Sequence, residues 1–333
     1  MATKKPITFL LSVDTEEEWE WDGPFPEKDF AVENISKLDS FQTFCEQNAY
    51  RPVYFVDYAA AKAFPNYPQF FNSERQQNYE IGAHLHPWAN PPYFGPANDE
   101  KSHIVNLPLD HVEQKLDALL TLFADTLKCK PQSFRSGRWG ISEEILQLLL
   151  AKGFNIDSSV YPFYKNQYFD CLGCPLKPYW PSFNDVLSCG QQDEILEMPV
   201  TVGFNHTPFA KYAKLHDFCQ KSSMKILKAT AVLWHTSLMR KIYFSPEVAS
   251  AKDMIDLAEA SIKQGNQCLH MFMHSSSFLD NSTGFLKANG AFELICERIK
   301  GVTAHLEEKY DVTYMTASEY KLFLQKNPQY IAE

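Results

Sequence analysis

The chain has 333 residues, of which 45% are hydrophobic and 22% charged, and its formal net charge is −10 at pH 7. These values are typical of a folded protein with room for one large α/β domain or two ordinary ones. The acidic balance argues against a surface that binds nucleic acid or an anionic membrane, and it favours a neutral or cationic substrate. No apolar run approaches the roughly 20 residues that span a bilayer, and the N-terminus is unlike a signal peptide, so we expect a cytoplasmic protein.

The first predicted strand ends in a group of acidic residues. The continuous apolar run at 7–13 is typical of a strand buried on both faces, and Asp14, Glu16 and Glu17 follow it. Active sites of α/β proteins lie at the carboxyl ends of such strands. A solvated acidic loop is the simpler interpretation, but two tryptophans follow closely, at positions 19 and 21, and we favour a site.

Strand-like and helical segments alternate along the rest of the chain. Apolar residues spaced three or four apart indicate helices, and short β-branched runs between them indicate strands. Strands are predicted at 53–56, at 80–86, from 133, and at 154–160, 195–200 and 267–274, and helices at about 32–48, 68–77, 108–123, 145–152, 210–240, 248–264, 285–308 and 316–326. The segment 161–194 shows no period and is predicted to be an irregular excursion within a single domain, 1–333. This alternation predicts an α/β protein with a largely parallel sheet.

The third predicted strand ends in a His-x-His pair. Alternation along a strand places His84 and His86 on one face, and Pro87 prevents the strand from continuing. Two imidazoles on one face can share a divalent metal ion if a third ligand comes from elsewhere in the chain. The simpler interpretation is a pair of solvated or core histidines.

Other predicted strands also end in polar residues, namely Asp57, Arg135, Asp157 and His274. In an α/β barrel these strand ends converge on one mouth, and this convergence is the main indication from the residues alone of an enzyme. Three aromatic residues in the neighbouring loops are candidate walls for a sugar or another planar ligand. They are Trp88, Tyr93 and Trp139.

Eight cysteines are present, and we expect them to be reduced thiols packed as small hydrophobic side chains. Cys171, Cys174 and Cys189 leave a structural zinc site open as an alternative, with His206 as the nearby fourth ligand. Prolines beside the Cys-x-x-Cys pair disfavour a redox motif.

The order of these motifs resembles that of the polysaccharide deacetylase superfamily, the carbohydrate esterases that remove N-acetyl groups from amino sugars, and in particular the WalW-like proteins. The segments that carry the resemblance are Ser12–Glu16, Gly82–Trp88, Phe134–Trp139, Asp157–Ser159 and Met273–Ser275. The resemblance implies a distorted (β/α)7-type barrel and a divalent metal ion, usually zinc. It also implies hydrolysis of an acetamide on an amino-sugar-containing glycan or glycolipid precursor.

The resemblance also implies roles for individual residues. Asp14 would be the general base, and Arg135 would pair with it and keep it ionised. His274 would be the general acid that protonates the leaving amine, and Asp157 would orient its ring.

Two positions depart from the family's pattern. Thr15 stands where the family has a second acidic residue that binds the metal, and Glu16 is our substitute, with Glu17 in reserve. Trp88 stands where the family has its second histidine, and we expect His86 to serve instead. The predicted metal ligands are therefore Glu16, His84 and His86.

Two other functions stay open. The first is an amidohydrolase of the same fold that acts on a small non-sugar amide or cyclic imide, without a metal if the two substitutions fail. The second is a non-catalytic carbohydrate-binding homologue that keeps the fold and the aromatic walls.

Overall fold

A sheet of parallel strands forms the centre of the protein. The computed structural model describes residues 4–19, 21, 23–26, 28–70, 75–221 and 229–332. In chain order its strands are β1 (Lys5–Thr15), β2 (Pro52–Val56), β3 (Glu80–Leu85), β4 (Ser133–Ser136), β5 (Ile156–Asp157), β6 (Pro181–Ser182), β7 (Asp185–Cys189), β8 (Leu196–Glu197), β9 (Val202–Phe204), β10 (Lys241–Tyr243), β11 (Cys268–His274) and β12 (Tyr310–Tyr314). The central sheet has the order β11–β1–β2–β3–β4–β5–β8, and β12 pairs with β1 beside this path. The pairs β6–β7 and β9–β10 are antiparallel and separate.

Helices connect most successive parallel strands, because a parallel pair needs a long crossover, and the connection from β5 to β8 carries the β6–β7 pair instead. In chain order they are α1 (Leu38–Gln47), α2 (Tyr58–Ala63), α3 (Leu109–Leu122), α4 (Glu143–Lys152), α5 (Phe209–Cys219), α6 (Ala229–His235), α7 (Ala251–Lys263), α8 (Ala291–Lys309) and α9 (Ala317–Lys326). Short 3-10 turns lie at Glu33–Lys37, Phe64–Asn66, Gln76–Asn78, Ile104–Asn106, Ser275–Phe278 and Pro328–Tyr330, and α3 runs on into a π-helical turn at Phe123–Leu127. No helix in these described parts of the chain combines the length and apolar character needed to cross a bilayer.

The alternation of side chains along β1 shows how the two faces of the sheet differ. Odd-numbered residues from Ile7 to Val13 belong to the large apolar core that the sheet shares with the surrounding helices. Leu10 belongs instead to a smaller core, to which Leu324 of α9 also contributes. Asp14 has the same parity as Leu10, so it lies on that second face at the carboxyl end of the strand.

The sheet curls but does not close between its edge strands β8 and β11. Single hydrogen bonds replace a ladder there: Thr201 N donates to His270 O over 3.0 Å, and Phe272 N donates to Phe244 O over 3.2 Å. Seven parallel strands thus form a half-barrel within a single domain. The predicted distorted (β/α)7-type barrel is confirmed.

Several predicted elements differ in extent or lie partly outside the described residues. The strand predicted at 154–160 is only Ile156–Asp157, because the carbonyl oxygen of Ser158, which a longer ladder would use, accepts a hydrogen bond from Arg135 Nε instead. β12 lies outside the predicted strands, since it follows α8 without a turn signal and has the sequence Tyr-Asp-Val-Thr-Tyr, which is not an apolar run. The helices predicted at 68–77 and 210–240 include residues 71–74 and 222–228, which lie outside the described residues.

The cysteine-rich part of the 161–194 excursion is built as a small apolar cluster. Cys171 and Cys174 pack there with Val160, and burial raises the pKa of Cys171 to about 11, so its thiol is protonated. His206, the candidate fourth ligand of a structural zinc site, lies at the surface with its Nε2 atom 3.0 Å from Ser237 O. These positions favour plain thiols over a zinc site.

Gly82 in β3 allows the close approach of two neighbouring strands and provides a test of the core packing. A Cβ atom at this position would lie 2.6 Å from Phe55 Cδ1 and 2.6 Å from Ser133 Oγ. We expect Gly82→Ala to lower the free energy of unfolding by about 1–3 kcal/mol, measured by denaturant unfolding.

Gly301, inside α8, is the matched control, because a Cβ there would meet only Ala251 Cβ at 3.5 Å. Gly301→Ala should raise stability by about 0.5–1 kcal/mol, since alanine is the better helix former. Equal effects of the two substitutions would contradict the packing described for β3.

Candidate active site

The pairing register of the strands brings the predicted site residues to one edge of the sheet. Asp14 on β1 pairs with His274 on β11 and, on its other side, with Phe55 on β2. His84 on β3 pairs with Arg135 on β4. Residues far apart in the sequence therefore lie side by side at the carboxyl ends of the strands, where an α/β barrel places its chemistry.

Asp14 and Arg135 form a buried ion pair. Arg135 Nη1 donates to Asp14 Oδ1 over 2.6 Å, while its Nε and Nη2 donate to Ser158 O and Ser158 Oγ over 3.0 and 2.9 Å. Burial favours the neutral acid, but the charge of Arg135 and its hydrogen bond, together with His274, outweigh burial and lower the pKa of Asp14 below its usual value. Asp14 is therefore a carboxylate that can accept a proton.

His274 faces Asp14 from the neighbouring strand and has its own carboxylate partner. Its Nδ1 donates to Glu247 Oε1 over 2.7 Å, and Ser277 Oγ also donates to the Glu247 carboxylate. Burial lowers the pKa of His274, but Glu247 and then Asp14 outweigh this effect, so the pKa is raised above 6.5. Its Nε2 lies 4.0 Å from Asp14 Oδ2, which places a proton donor opposite a proton acceptor.

The prediction that Asp157 orients His274 is wrong, because the carboxylate on the His274 ring is Glu247. Asp157 accepts a hydrogen bond from Ser159 Oγ over 2.6 Å and pairs with Glu197 of β8, with which it lies in register. Burial raises the pKa of Asp157, and burial together with Asp157 raises the pKa of Glu197 well above its usual value. Asp157 thus belongs to a buried carboxyl pair beneath the site.

Glu16, His84 and His86 form a group that could hold a metal ion. Glu16 Oε2 lies 3.3 Å from His84 Nε2 and 3.3 Å from His86 Nε2. His84 Nδ1 donates to Arg135 O over 2.9 Å, and His86 Nδ1 donates to the Glu17 carboxylate over 3.0 Å, so both Nε2 atoms are left as lone pairs. Three electron-pair donors therefore face one another.

This donor set fits a divalent ion. Glu16 Oε2 and His86 Nε2 are buried without a hydrogen-bond partner among the described residues. Burial lowers the pKa of His84 to about 3 and that of His86 to about 4, so both rings are neutral. Zinc bonds of about 2.0–2.1 Å at a tetrahedral angle place ligand atoms about 3.3 Å apart, which matches the separation of these atoms.

Neighbouring residues fix the orientation of His86. The Glu17 carboxylate that accepts a hydrogen bond from His86 also accepts one from Trp88 Nε1 over 2.6 Å. Asp57 lies beside Glu17, and burial and the Glu17 charge raise the pKa of Asp57 well above its usual value. Gly137 lies against the His86 ring, where a Cβ would clash with the ring and approach Leu85 O to 2.5 Å. Carboxylates that hold a metal-binding histidine in one tautomer are typical of metal sites.

A cleft of about 320 Å³ opens above these groups. Trp139, one of the predicted aromatic walls, lines it and stacks on Tyr161 with ring centroids 4.4 Å apart. The prediction that Trp88 and Tyr93 line the same cleft is wrong, because both border a neighbouring cavity. Trp88 is 4% exposed and lies within an aromatic cluster with Trp19.

Glu247 and Tyr161 are two of the cleft residues that the sequence analysis missed. Glu247 follows the three-residue strand β10, which is too short to give a periodic signal. Tyr161 begins the segment that showed no period. The only available signal for Glu247 was a carboxylate in a loop, which by itself indicates nothing.

Comparison with known proteins supports the fold. No family model matches the chain, and no curated protein sequence matches it. Among solved structures, a Mycobacterium smegmatis protein described as a candidate polysaccharide deacetylase aligns with 98% of this chain and 93% of its own, at 12% identity and a TM-score of 0.55. A candidate glycoside hydrolase/deacetylase from Parabacteroides distasonis aligns with 98% of this chain and 73% of its own, at 12% identity and a TM-score of 0.60.

A third structure, a 4-alpha-glucanotransferase from Thermococcus litoralis, aligns with 95% of this chain but only 40% of its own, at 12% identity and a TM-score of 0.50. At identities this low, the structural alignments show a shared fold. Because one fold hosts different reactions, the activity has to be argued from the site itself.

The donor geometry predicts a zinc site that depends on His84. His84→Ala removes one of the three lone pairs, and we expect the affinity for zinc, measured by competition with a chelating dye, to fall by at least about 100-fold. His305→Ala is the control, because His305 pairs with Glu259 away from the cleft. Equal zinc affinities of wild type and His84→Ala would contradict this site.

Proposed function

We propose that this protein belongs to the polysaccharide deacetylase superfamily, near the WalW-like proteins, and removes an acetyl group from the nitrogen of an amino sugar in a metal-assisted reaction. The observation that carries the proposal is the set of three buried lone pairs on Glu16, His84 and His86. Beside them lie a proton acceptor, Asp14, and a proton donor, His274. Metal-assisted amide hydrolysis needs these components within one cleft.

Glu16, His84 and His86 would hold the divalent ion, which we propose is zinc. When bound, the ion supplies Lewis-acid polarisation of the amide carbonyl and makes water easier to deprotonate. Both imidazoles are neutral, and Glu16 Oε2 and His86 Nε2 are buried without a hydrogen-bond partner among the described residues. Little rearrangement of the protein is therefore needed to bind the ion.

Asp14 acts as the general base. Arg135 keeps it ionised and fixes one of its oxygens over 2.6 Å, which leaves Oδ2 to take a proton from the attacking water. The new C–O bond forms as that proton moves to Asp14. A second partner for Arg135, the ring of Phe55 with its centroid 4.3 Å from the guanidinium carbon, keeps the ion pair rigid.

His274 acts as the general acid. Its raised pKa favours the charged ring, in which Nε2 carries a proton, and this proton goes to the amine nitrogen as the C–N bond breaks. The Glu247 carboxylate stabilises the charged ring in the ground state and holds its orientation. The products are acetic acid, which ionises to acetate, and a free amine. The proton held on Asp14 then passes to His274 Nε2, 4.0 Å from Asp14 Oδ2, and this transfer returns the site to its starting state.

The substrate class is supported by the walls of the cleft and by the structural relatives. The stacked pair Trp139 and Tyr161 offers flat apolar surface of the kind that packs against sugar rings. Two relatives of the same fold are described as candidate deacetylases, one of them also as a glycoside hydrolase. A sugar acetamide is therefore a better match than a small cyclic amide.

Replacement of the base provides the first test of this mechanism. Asp14→Asn keeps the shape of the side chain but removes its ability to take a proton. Release of acetate from N-acetylglucosamine oligomers should fall by at least about 100-fold, while zinc affinity stays within about threefold of wild type.

Asp256→Asn, at an exposed pair with Lys252, is the control and should keep full activity. If Asp14→Asn retains near-wild-type acetate release, the base assignment is wrong. If the wild type and Asp256→Asn release no acetate but open cyclic imides, the non-sugar alternative replaces the proposal.

The Glu247–His274 pair predicts the pH dependence. The general acid works only while His274 is protonated, so activity falls as the pH rises through its pKa. Glu247→Gln removes the charge that raises this pKa, and the falling limb of the kcat profile should move to lower pH, with kcat at pH 7 reduced by at least about tenfold.

Glu259→Gln is the matched control, because Glu259 also accepts from a histidine, His305 Nε2, over 2.7 Å, but at the surface. It should leave the profile unchanged. A falling limb of Glu247→Gln that coincides with the wild-type limb would exclude His274 as the acid.

A further inference from the structure

One wall of the cleft carries two polar side chains that the proposed chemistry does not use, Arg138 and His103. Arg138 is the single lysine or arginine among the described residues that line the cleft. The catalytic end of the same cleft carries the carboxylates Asp14, Glu16 and Glu247, so the positive wall is distinct in charge from the reacting end.

Arg138 is held in place by its neighbours and by an unusual backbone. Its Nη1 donates to Asp99 Oδ1 and to Ser102 Oγ, each over 2.9 Å. Its φ angle is 61° and that of Trp139 is 64°, and two successive non-glycine residues in the left-handed region cost about 1–3 kcal/mol each. The backbone conformation that presents Arg138 and Trp139 to the cleft therefore lowers the stability of the fold.

The positive charge of Arg138 is only partly compensated. The side chain of Asp99 is 55% exposed and that of Arg138 is 22% exposed, so water screens their attraction. Nε and Nη2 of Arg138 have no hydrogen-bond acceptor among the described residues. The guanidinium therefore keeps donors and charge for a ligand.

His103 supplies the second, independent observation. It is 2% exposed, neither of its ring nitrogens has a side-chain hydrogen-bond partner within the described chain, and its ring lies within reach of the Arg138 backbone. Its ring packs beside Tyr168, with centroids 4.7 Å apart, and it borders the same cleft as Arg138. The Arg138 backbone can serve only one of the two nitrogens, and a buried nitrogen without a partner is costly unless a ligand provides one.

We propose that Arg138 and His103 form an anion-binding subsite, so that the preferred substrate is an acidic amino sugar whose phosphate or carboxylate group docks on this wall. The inference rests on the proposed function, because it places the anion on the molecule that carries the acetamide. A guanidinium with free N–H groups beside an N–H donor of an imidazole suits the oxygens of such a group. The acidic net charge of the whole chain does not oppose this, since it does not describe the cleft.

The test measures binding to the full-length protein by calorimetry, with a chelator present so that a metal ion cannot ligate the anion. The probes are N-acetylglucosamine, its 1-phosphate, its 6-phosphate and N-acetylmuramic acid. We expect at least one anionic probe to bind about tenfold more tightly than the neutral sugar, with an advantage that shrinks at high salt. Comparison of the two sugar phosphates with N-acetylmuramic acid, which carries a carboxylate, shows which of the two anionic groups the subsite prefers.

Arg138→Gln should reduce this advantage to about twofold or less without changing the affinity for neutral N-acetylglucosamine. Arg51→Gln removes the same charge from a pair with Glu319 outside the cleft and should change nothing. His103→Phe, which keeps the ring packing against Tyr168, should also reduce the advantage, and Arg138→Lys should retain part of it.

The subsite is excluded if none of the anionic probes binds more than about threefold better than the neutral sugar, or if Arg51→Gln and Arg138→Gln reduce the advantage equally. Loss of neutral and anionic binding together in Arg138→Gln and His103→Phe would also overturn it, since the wall would then hold sugar hydroxyls. Anion binding without acetate release would contradict the proposed function alone. Acetate release without a preference for anionic sugars would contradict the subsite alone.

Discussion

The site depends on three electron-pair donors that face one another inside a buried cleft. Glu16 Oε2 lies 3.3 Å from both His84 Nε2 and His86 Nε2, and lone pairs this close repel one another unless a cation or a proton lies between them. Much of the surrounding structure serves to hold this arrangement. Arg135 fixes one imidazole through its carbonyl oxygen, and the Glu17 carboxylate fixes the other.

The two proton carriers differ because their partners differ. Asp14 is as deeply buried as the other acidic residues of the site, yet its pKa falls because a guanidinium lies 2.6 Å away. His274 is also buried, yet its pKa rises because the Glu247 carboxylate accepts a hydrogen bond from its Nδ1. Burial alone would have neutralised both groups. The register between β1 and β11 then sets them opposite each other, which is what a base and an acid acting on one bond require.

The sequence predicted the fold class and most of the strand ends, because a buried parallel strand is a continuous apolar run and its polar end is easy to locate. It also predicted that Glu16 and His86 would lie beside His84, since alternation puts them on the same faces as Asp14 and His84, and the structure groups these three side chains. That Glu16 and His86 bind a metal ion in place of Thr15 and Trp88 stays a prediction. It failed where a side chain's partner comes from elsewhere in the fold. Asp157 lies at a strand end, but its register partner is Glu197. Glu247 stands in a loop after a three-residue strand, where no period exists to mark it. Trp88 and Tyr93 lie near the site along the chain, yet they point to a neighbouring cavity.

The central claim is that the three facing lone pairs bind a divalent ion. The most direct measurement is anomalous diffraction at the zinc absorption edge, from crystals of the protein grown with zinc. The account predicts one strong peak within about 2.0–2.3 Å of Glu16 Oε2, His84 Nε2 and His86 Nε2, with Asp14 and His274 on its cleft side. A map with no peak among these three atoms, or with the ion bound through a different set of side chains, would contradict it.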